Sequence, residues 1–589
     1  MYVLLDDKLF RHYSHLVELG VQQDIAISLK DISEKLFTSL RHARTLLKSM
    51  QESGWLTWTP KAGRSQRSLL RLHYELQQLK ADIAASLIVS GKYEKALMLV
   101  DGDHSVFGQL LQKTSGAIRR EGLLHIQLTY RRLFSSLLPH KPQRNSERFL
   151  LRQIYSCLVH CDKDGLLTPL LAHHWEHDDQ KTCWKFYLRP QLFFHNDQEI
   201  NADAVVQLFN QLKVLPEYQK ELNHLHSVSA VHPLCIEFCL TQPDWGFAGL
   251  LADIRYSIQP AGQVIQSLSS IVGSGAFYLQ EQSKERVRLQ AFNKFHASRA
   301  LTDSVTIWQL PQKKADSFAK TLLQTGIAEQ TKTSCSHYVS VNETQNTIPE
   351  GRRYTRIEDG CLLLLFNQQS DDTELTSLQR RYLCSLLTPG KLLKQLNTDE
   401  NQLGAVTAYN LLPSWHKTYR KNVEKQTLPA ELSIAVFDHF ALLDCAKAIS
   451  SVLQENGVQC QVNVYSFAEL QQKASKKQLS EALILSSMNL DDNRPTSIFR
   501  WLLSNPVLEQ VLLAEESDWL MQVLTGIRAA APLTEYLFEL EAVATSMIYE
   551  NWIFPLFHHR QSLQFEEVLK GISITDWGWP AMQHVWSED

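Results

Sequence analysis

The chain has 589 residues, 44% of them hydrophobic and 21% charged, and a formal net charge of −4. This length predicts more than one domain, and the composition is that of a folded globular protein, which excludes a disordered or fibrous chain. The ten cysteines are scattered without a Cys-x-x-Cys pair, a pattern that favours reduced thiols over a disulfide framework.

The N-terminal residues predict a cytoplasmic location. Asp6 and Asp7 follow only a short apolar run, and there is no basic segment with a long apolar stretch after it. We therefore expect no secretory signal. No uninterrupted apolar run approaches the roughly 20 residues that a membrane-spanning helix needs. The first predicted helix covers Asp6 to Leu19.

The next segment predicts a winged helix-turn-helix. A helix over Leu29–Leu36 and a turn at Phe37–Ser39 precede a second helix that runs to Ser53, where Gly54 can end it in the left-handed conformation. A strand over Trp55–Thr59, a basic turn and a returning strand over Ser68–His73 complete the wing. Residues at helical spacing in the second helix predict its buried stripe: Leu40, Ala43, Leu46, Leu47 and Met50.

The charge of this segment predicts DNA binding. Between Ser39 and His73, seven Lys and Arg residues stand against one acidic residue, Glu52, in a chain that is acidic overall. A local basic face of this kind is the electrostatic footprint of a phosphate-binding surface. A helical adaptor with a solvated basic face is the alternative. The predicted contacts with double-stranded DNA are Ser39, Arg41, His42, Arg44, Thr45 and Lys48 in the helix and Lys61, Arg64 and Arg67 in the wing.

The segment after the wing predicts a helical connector. Tyr74–Leu99 is strongly helical with a break near Ser90-Gly91, and another helix is predicted over Ser105–Arg120. These helices could close the DNA-binding domain or form the surface of a homodimer, and the sequence leaves both open. From about Leu123, strands and helices alternate to the C-terminus. The predicted domains are therefore 1–73, 74–122 and 123–589.

A series of phrases in the third domain resembles the family 5 solute-binding proteins, which include oligopeptide- and nickel-binding members. The phrases are Ile154–Glu176, Trp184–Asn196, Ile271–Leu279, Leu365–Asn367, Leu432–Val464 and Ile553–His559. The resemblance implies a multi-domain chain in which an α+β winged helix-turn-helix precedes a large two-lobed α/β module like the type II periplasmic binding proteins. The sequence departs from the family at Ala204, where Asp is usual, and at Ala276, where Pro is usual.

The two parts together resemble the SgrR family of bacterial transcriptional regulators. The resemblance is carried by Arg41–Leu47, Gly54–Trp58, Gly63-Arg64, Leu188–His195 and Tyr409–Trp415. It implies a cytoplasmic activator that controls the gene of a small regulatory RNA and its own gene in response to accumulated sugar phosphates. A solute-binding component of an uptake transporter is the alternative function.

A sugar phosphate requires an arginine, a lysine or a helix N-terminus for its phosphate group. Candidates for such a ligand site are Arg144, Asn145, Ser146 and Asn367, with Trp245 and Trp501 as aromatic lining. The alternative for each is a structural role in capping or bridging secondary structure.

No sequence motif predicts catalysis, a cofactor or a metal site. His173-His174 and His558-His559 are adjacent pairs with no further ligand at the right spacing. Cys157 with Cys161, expected on a helix, and Cys235 with Cys239, expected on a strand, are interpreted as buried thiols. No nucleophile elbow or phosphate-binding loop is present, so we do not predict an enzyme.

Overall fold

The computed structural model describes residues 7–61, 67–130, 132–266, 270–310, 336–341, 351–369, 374–396, 404–419, 423–566 and 568–588. The chain divides into two compact units. The first unit takes residues 1–123, 127–133 and 307–338, and the second takes 124–126, 134–306 and 339–589. No pattern in the sequence indicates that residues 127–133 and 307–338 belong to the first unit. The two predicted domain boundaries, 73/74 and 122/123, remain predictions.

The first unit begins with a winged helix. Its elements are α1 (Asp7–Val17), β1 (Ile25–Ile27), α2 (Leu29–Lys35), α3 (Leu40–Glu52), β2 (Leu56–Thr59) and β3 (Ser68–Leu72). The strands form an antiparallel sheet in the order β1-β3-β2. The predicted helices and strands agree with these bounds to within a few residues. Gly54, at a φ of 76°, has the left-handed conformation that was predicted to end α3.

Tyr13 holds α1 against the base of the wing, the hairpin formed by β2 and β3. Its side chain is fully buried. The hydroxyl donates to the Tyr74 carbonyl at 2.8 Å and accepts from the Tyr74 N–H at 3.1 Å. Its ring also packs edge-on against Trp55, with centroids 5.6 Å apart. These contacts fix both ends of the wing relative to the first helix.

Helices α4 (Leu76–Val89), α5 (Tyr93–Leu99) and α6 (His104–Lys113) follow, and then β4 (Gly116–Arg120) and β5 (Leu123–Tyr130). These helices have a second apolar core, in which Trp308 from a later segment packs against Tyr93 and Phe107. The predicted helix over 105–120 is wrong in its second half. Gly116 has a φ of 153°, and Ala117 and Ile118 pair with His337 and Ser336 in an antiparallel ladder.

The second unit is an α/β structure with many short elements. Its helices are α7 (Asn145–Ile154), α8 (Ala202–Leu212), α9 (Gln219–Leu222), α10 (Phe247–Ala252), α11 (Gly262–Ile265), α12 (Ser377–Leu386), α13 (Pro389–Gln395), α14 (Phe440–Glu455), α15 (Phe467–Ser475), α16 (Arg494–Ser504), α17 (Pro506–Val511), α18 (Ala514–Ala530) and α19 (Tyr536–Tyr549).

The remaining strands are β6 (Val159–Cys161), β7 (Leu167–Pro169), β8 (Ala172–His177), β9 (Cys183–Leu188), β10 (Leu225–His232), β11 (Cys235–Leu240), β12 (Phe277–Gln282), β13 (Arg286–Ala291), β14 (Thr302–Gln309), β15 (Ser336–Val341), β16 (Gly351–Ile357), β17 (Cys361–Phe366), β18 (Ala405–Thr407), β19 (Glu431–Phe437), β20 (Gln459–Tyr465), β21 (Leu483–Met488), β22 (Ile553–Glu566), β23 (Leu569–Lys570) and β24 (Trp586–Ser587). Strands β5, β14 and β15 contain the points where the chain passes from one unit to the other.

Two sheets of the second unit matter for function. Strands β10, β11, β9 and β8 form a four-stranded antiparallel sheet in that order. Around β19 the sheet is parallel, because β19 pairs with both β20 and β21 in the same direction. This confirms the predicted strand–helix–strand unit over 432–464. In the described part of this unit, an apolar core that includes many Leu, Ile, Val and Phe residues extends from Leu158 to Phe557.

Two local predictions in this unit have different outcomes. Asn201 caps α8 as predicted, since its side chain accepts from the Ala204 N–H at 3.0 Å. The predicted helix around Cys157 and Cys161 is wrong, because α7 ends at Ile154 and Cys161 lies in β6. No helix in the described part of the chain has both the length and the apolar character that a membrane span requires.

Candidate functional site

Helix α3 presents a cationic face. The Ser39 side chain accepts from the His42 N–H at 3.3 Å and so caps the helix. Ala43, Leu47 and Met50 are buried with Leu46 on the opposite side. The five helix residues predicted to contact DNA after Ser39 are all exposed: Arg41, His42, Arg44, Thr45 and Lys48.

The cations of α3 make few ion pairs with the described residues. Lys48 lies 3.7 Å from Glu52, one turn further along the helix, and both side chains are exposed, so this ion pair is weak. Arg41 and Arg44 form no ion pair with any residue of the described ranges. An exposed arginine without a carboxylate partner is free to bind a phosphate or a base edge.

The wing carries part of the predicted surface. Lys61 and Arg67 are exposed at either end of its turn. Arg64 lies outside the described residues. Strand pairing places Leu56 opposite Leu72 and Thr59 opposite Leu69, so the hairpin is in register up to this turn. The cations at its ends can therefore reach a backbone beside the groove that α3 would enter.

Two large apolar side chains near the start of α3 are exposed. Phe37, in the turn between α2 and α3, has a φ of 51°, and its side chain is 84% exposed. Leu40 was predicted to be buried, but 49% of its surface is exposed. As the first residue of α3, it lies beyond the end of the packed stripe.

The second unit contains a buried network of charges. Arg500 donates from Nε to Glu221 at 2.8 Å and from Nη1 to Asp253 at 2.7 Å. Arg255 donates to the other oxygen of Glu221 at 2.8 Å. Burial alone would raise the pKa of Glu221, but Arg255 and Arg500 outweigh it and hold this pKa below its usual value. The carboxylates are therefore ionised and paired at neutral pH.

Arg152, on α7, forms the second part of this network. Its Nη2 donates to Asp491 at 2.8 Å, to Asp492 at 2.7 Å and to the Ala252 carbonyl at 2.9 Å. The Arg152 side chain is only 10% exposed, and that of Asp491 is fully buried. A cation so deep is retained only because several acceptors surround it.

Arg148, one turn before Arg152, lacks such acceptors. Its Nε and Nη1 atoms are buried, and no residue in the described ranges accepts a hydrogen bond from either. Burial lowers the pKa of Arg148, and the nearby Asp253 and Asp491 offset this only in part. Leaving guanidinium N–H groups buried without acceptors costs free energy. An anionic ligand could supply the missing acceptors.

The residues predicted from sequence for the ligand site have other contacts. Arg144 stands at the N-cap position just before α7, and its Nε donates to the two carboxylate oxygens of Glu147 at 3.1 and 3.2 Å. The Asn145 amide donates to Glu358, and Ser146 is buried. Arg144 therefore has a structural partner. Arg148 follows Ser146 by two positions, but no sequence signal distinguished it from other helix arginines.

The other three residues predicted for the ligand site are Asn367, Trp501 and Trp245. No hydrogen bond or ring contact among the described residues links them to residues 144–146. Asn367 is buried and bridges two loop carbonyls, those of Leu479 at 2.9 Å and Glu481 at 3.0 Å. Trp501 lies in the apolar core. Trp245 is 39% exposed, with the Lys181 ammonium 4.4 Å from its ring centroid. Asn367 thus has the bridging role that was the alternative to ligand binding.

Comparison with known proteins gives matches for both parts of the chain. Residues 8–122 match the family described as "Sugar transport-related sRNA regulator N-term". Residues 167–371 match "Bacterial extracellular solute-binding proteins, family 5 Middle". The "HTH-type transcriptional regulator SgrR" of Photorhabdus laumondii is 28% identical over 573 residues, which is 95% of each chain. That of Yersinia enterocolitica is 28% identical over 564 residues, again 95% of each chain.

Solved structures resemble the larger part. A dipeptide-binding protein from a Pseudoalteromonas species, in complex with Met-Leu, has a TM-score of 0.63 at 15% identity and covers 78% of this chain and 100% of that one. AgaA from Agrobacterium tumefaciens, in complex with agropinic acid, has a TM-score of 0.62 at 15% identity and covers 80% of this chain and 99% of that one. With the family matches, these likenesses confirm the predicted fold class, a winged helix followed by a solute-binding-protein module.

Proposed function

Because this chain belongs to the SgrR family of HTH-type transcriptional regulators, we propose that α3 and the wing bind promoter DNA and that a small molecule in the second unit changes this binding. The observation that carries the DNA-binding half is the two exposed arginines on α3, which form no ion pair with any residue that the structure describes. Arg41 and Arg44 project from a capped helix whose opposite side is buried. The same geometry is what a recognition helix requires in a major groove.

The ligand-binding half is supported by the match to solute-binding proteins and by Arg148. Two buried guanidinium nitrogens that have no acceptor among the described residues suit a phosphate or carboxylate group. A sugar phosphate, which the family resemblance implies, has this chemistry. Arg148 on α7 would then bind the anion, and the rest of the ligand would select among sugars.

The finer parts of the proposal come from the family. The protein acts in the cytoplasm, as a monomer or a homodimer. It activates the gene of a small regulatory RNA and controls its own gene. The alternative, a solute-binding component of an uptake transporter, is less well supported, since the relatives that match along the whole chain are named as regulators.

The test uses the full chain and a duplex from upstream of its own gene, with affinity measured by fluorescence anisotropy. Arg44→Ala should weaken binding about 5- to 150-fold, equivalent to about 1–3 kcal/mol for a base contact. Arg119→Ala removes the same charge from an exposed position on β4, outside the proposed surface, and should bind as the wild type does. Equal affinities for the two variants would exclude α3 as the recognition helix.

The ligand is tested in the same assay. Glucose 6-phosphate added to the wild type should change the DNA affinity by about 5- to 150-fold, the usual range of coupling between two sites. The direction of this change distinguishes an inducer from an inhibitor. No change with glucose 6-phosphate, glucose or inorganic phosphate would contradict a sugar-phosphate sensor and leave the DNA-binding proposal intact.

A further inference from the structure

Three side chains that bind metals meet on one face of the four-stranded sheet of the second unit. Cys183 on β9 lies directly opposite Cys239 on β11 in the antiparallel register. Glu237 precedes Cys239 by two residues and therefore lies on the same face. The two Sγ atoms and a Glu237 carboxylate oxygen all lie within 4.8 Å of one another. All three residues are partly exposed, so solvent and ions can reach them.

The strands hold these side chains in place from behind. Trp184 and Phe186 on β9, and Ile236 and Phe238 on β11, alternate with them and are buried in the core. Because successive side chains of a strand point to opposite faces, these anchors fix the direction of the outer ones. The thiols and the carboxylate therefore occupy a prearranged position on two hydrogen-bonded strands.

Lys185 orients the carboxylate. Its ammonium lies 3.6 Å from Oε1 of Glu237. The Cys239 thiol donates to the other oxygen, Oε2, at 3.8 Å. One carboxylate oxygen is thus engaged by a cation, and the other faces the sulfur atoms. That second oxygen is in the position of a metal ligand.

The electrostatics of the cluster favour a cation. The two Sγ atoms and the Glu237 carboxylate oxygen lie within 4.8 Å of one another, so two thiolates and a carboxylate would place three negative charges close together. The three groups therefore repel one another when they are ionised. A divalent cation between them would remove this repulsion and stabilise the thiolates.

We propose that Cys183, Cys239 and Glu237 bind one thiophilic divalent cation, with Zn²⁺ as the representative ion. Two sulfur ligands and one oxygen ligand suit Zn²⁺, and three protein ligands leave a fourth position for water. Bond lengths of about 2.3 Å to sulfur and about 2.0–2.2 Å to oxygen require the ligand atoms to approach a little more closely, which side-chain rotation can achieve. This site is independent of the proposed DNA and sugar-phosphate sites.

Strand pairing, rather than sequence spacing, reveals this site. The sequence places Cys235 four residues before Cys239, and these two were grouped as buried thiols. In the sheet, Cys235 lies opposite Tyr187, while Cys183 lies opposite Cys239. The ligand that completes the cluster is therefore on a different strand, more than 50 residues earlier in the sequence.

The experiment uses the full chain, reduced and without a histidine tag. Co²⁺ is added as a spectroscopic probe, and its thiolate-to-metal charge-transfer absorption is recorded. Zn²⁺ affinity is then measured by competition with a chromophoric chelator. We expect one Co²⁺ per chain with the absorption of two thiolate ligands, displaced by one equivalent of Zn²⁺. Cys183→Ser and Cys239→Ser should each halve this absorption and weaken Zn²⁺ binding by at least about 100-fold, the upper end of what loss of an outer-shell partner costs.

Two controls separate metal binding from folding. Cys460→Ser removes a partly buried thiol from β20 in the same unit and should leave Zn²⁺ affinity unchanged. Glu237→Gln and Lys185→Gln both break the same ion pair, but only Glu237→Gln removes a ligand. Zn²⁺ affinity should therefore fall in Glu237→Gln and hold or rise in Lys185→Gln. The Gln variants keep the test valid if a Ser variant does not fold.

Three results would overturn the proposal. The first is the absence of a stoichiometric thiolate absorption with Co²⁺. The second is a Zn²⁺ affinity that is the same in Cys183→Ser as in Cys460→Ser. The third is a combination of two observations: the reduced chain does not bind Zn²⁺, and mild oxidation consumes the thiols of Cys183 and Cys239 alone. Such a result would identify a disulfide pair instead.

Discussion

Replacing Arg500 by methionine should destabilise the second unit severely. In the wild type this side chain is 7% exposed and pairs with two fully buried carboxylates, those of Glu221 and Asp253, at 2.8 and 2.7 Å. Methionine has a similar length but leaves Asp253 without its cation and Glu221 with Arg255 alone. Breaking a buried pair in this way costs about 3–5 kcal/mol, because a charge remains buried without compensation.

The effect should depend on pH. The pKa values of Glu221 and Asp253 lie below their usual values despite burial, because Arg500 and its neighbours stabilise the ionised forms. These groups stabilise the wild-type fold above the ordinary carboxyl pKa of about 4, and this contribution is lost as the pH falls through the lowered values. In the variant, protonation relieves the unpaired charge. The difference in free energy of unfolding should therefore be largest at pH 7 and shrink towards pH 4.

Urea denaturation followed by circular dichroism measures this difference for the full chain. Lys220→Met is the matched control, since it removes a cation from an exposed pair with Glu509, also at 2.8 Å, in the same unit. An exposed pair contributes about 0–1 kcal/mol. If Arg500→Met costs no more than Lys220→Met at pH 7, or if its cost does not shrink on acidification, the buried network does not stabilise the fold as we describe.

Three further predictions concern single side chains. Tyr13→Phe should destabilise the first unit by about 1–3 kcal/mol, since it leaves the partly buried N–H and carbonyl of Tyr74 without their partner; thermal denaturation measures this, and an unchanged midpoint would mean that water replaces the hydroxyl. Asn201→Ala should cost about 1 kcal/mol because α8 loses its N-cap, whereas Asn201→Asp should restore it. Arg148→Met should leave the melting temperature unchanged or higher, because burial lowers the pKa of Arg148 and so disfavours its charged form in the fold. The same variant should lose any thermal stabilisation by glucose 6-phosphate, and retained stabilisation would exclude Arg148 as the anion ligand.

Local patterns in the sequence were enough to predict the winged helix. The Ser39 cap, the stripe formed by Ala43, Leu47 and Met50, and the stop at Gly54 all act within a few residues of one another. The cations of α3 are exposed simply because they alternate with that stripe. Such features depend on helix periodicity, which a single sequence shows directly.

The helix predicted over 105–120 shows where local sequence patterns fail to predict structure. The apolar residues Ala117 and Ile118 extend the helical pattern of α6, but they pair with residues near position 337 in an antiparallel ladder. This pairing partner is about 220 residues away, so no local signal marks it. Tertiary pairing overrides helix propensity here.

The charge network could not be predicted for the same reason. Arg500 and Glu221 are 279 residues apart, and Arg152 and Asp492 are 340 apart. Each arginine looks like an ordinary solvated helix residue in the sequence. Only the packing of α7, α9 and α16 shows which of them are buried. It also shows that two nitrogens of Arg148 have no acceptor within the described ranges.

The central claim is that this chain binds a specific DNA sequence. Its most direct test is the affinity of the purified full chain for DNA upstream of its own gene, compared with a scrambled duplex of equal length at about 150 mM salt, where non-specific phosphate binding is weak. We predict that the chain prefers the upstream DNA by on the order of 1,000-fold or more, as sequence-specific regulators do. Equal affinity for the two duplexes would contradict the claim and make the cationic face of α3 an adaptor surface.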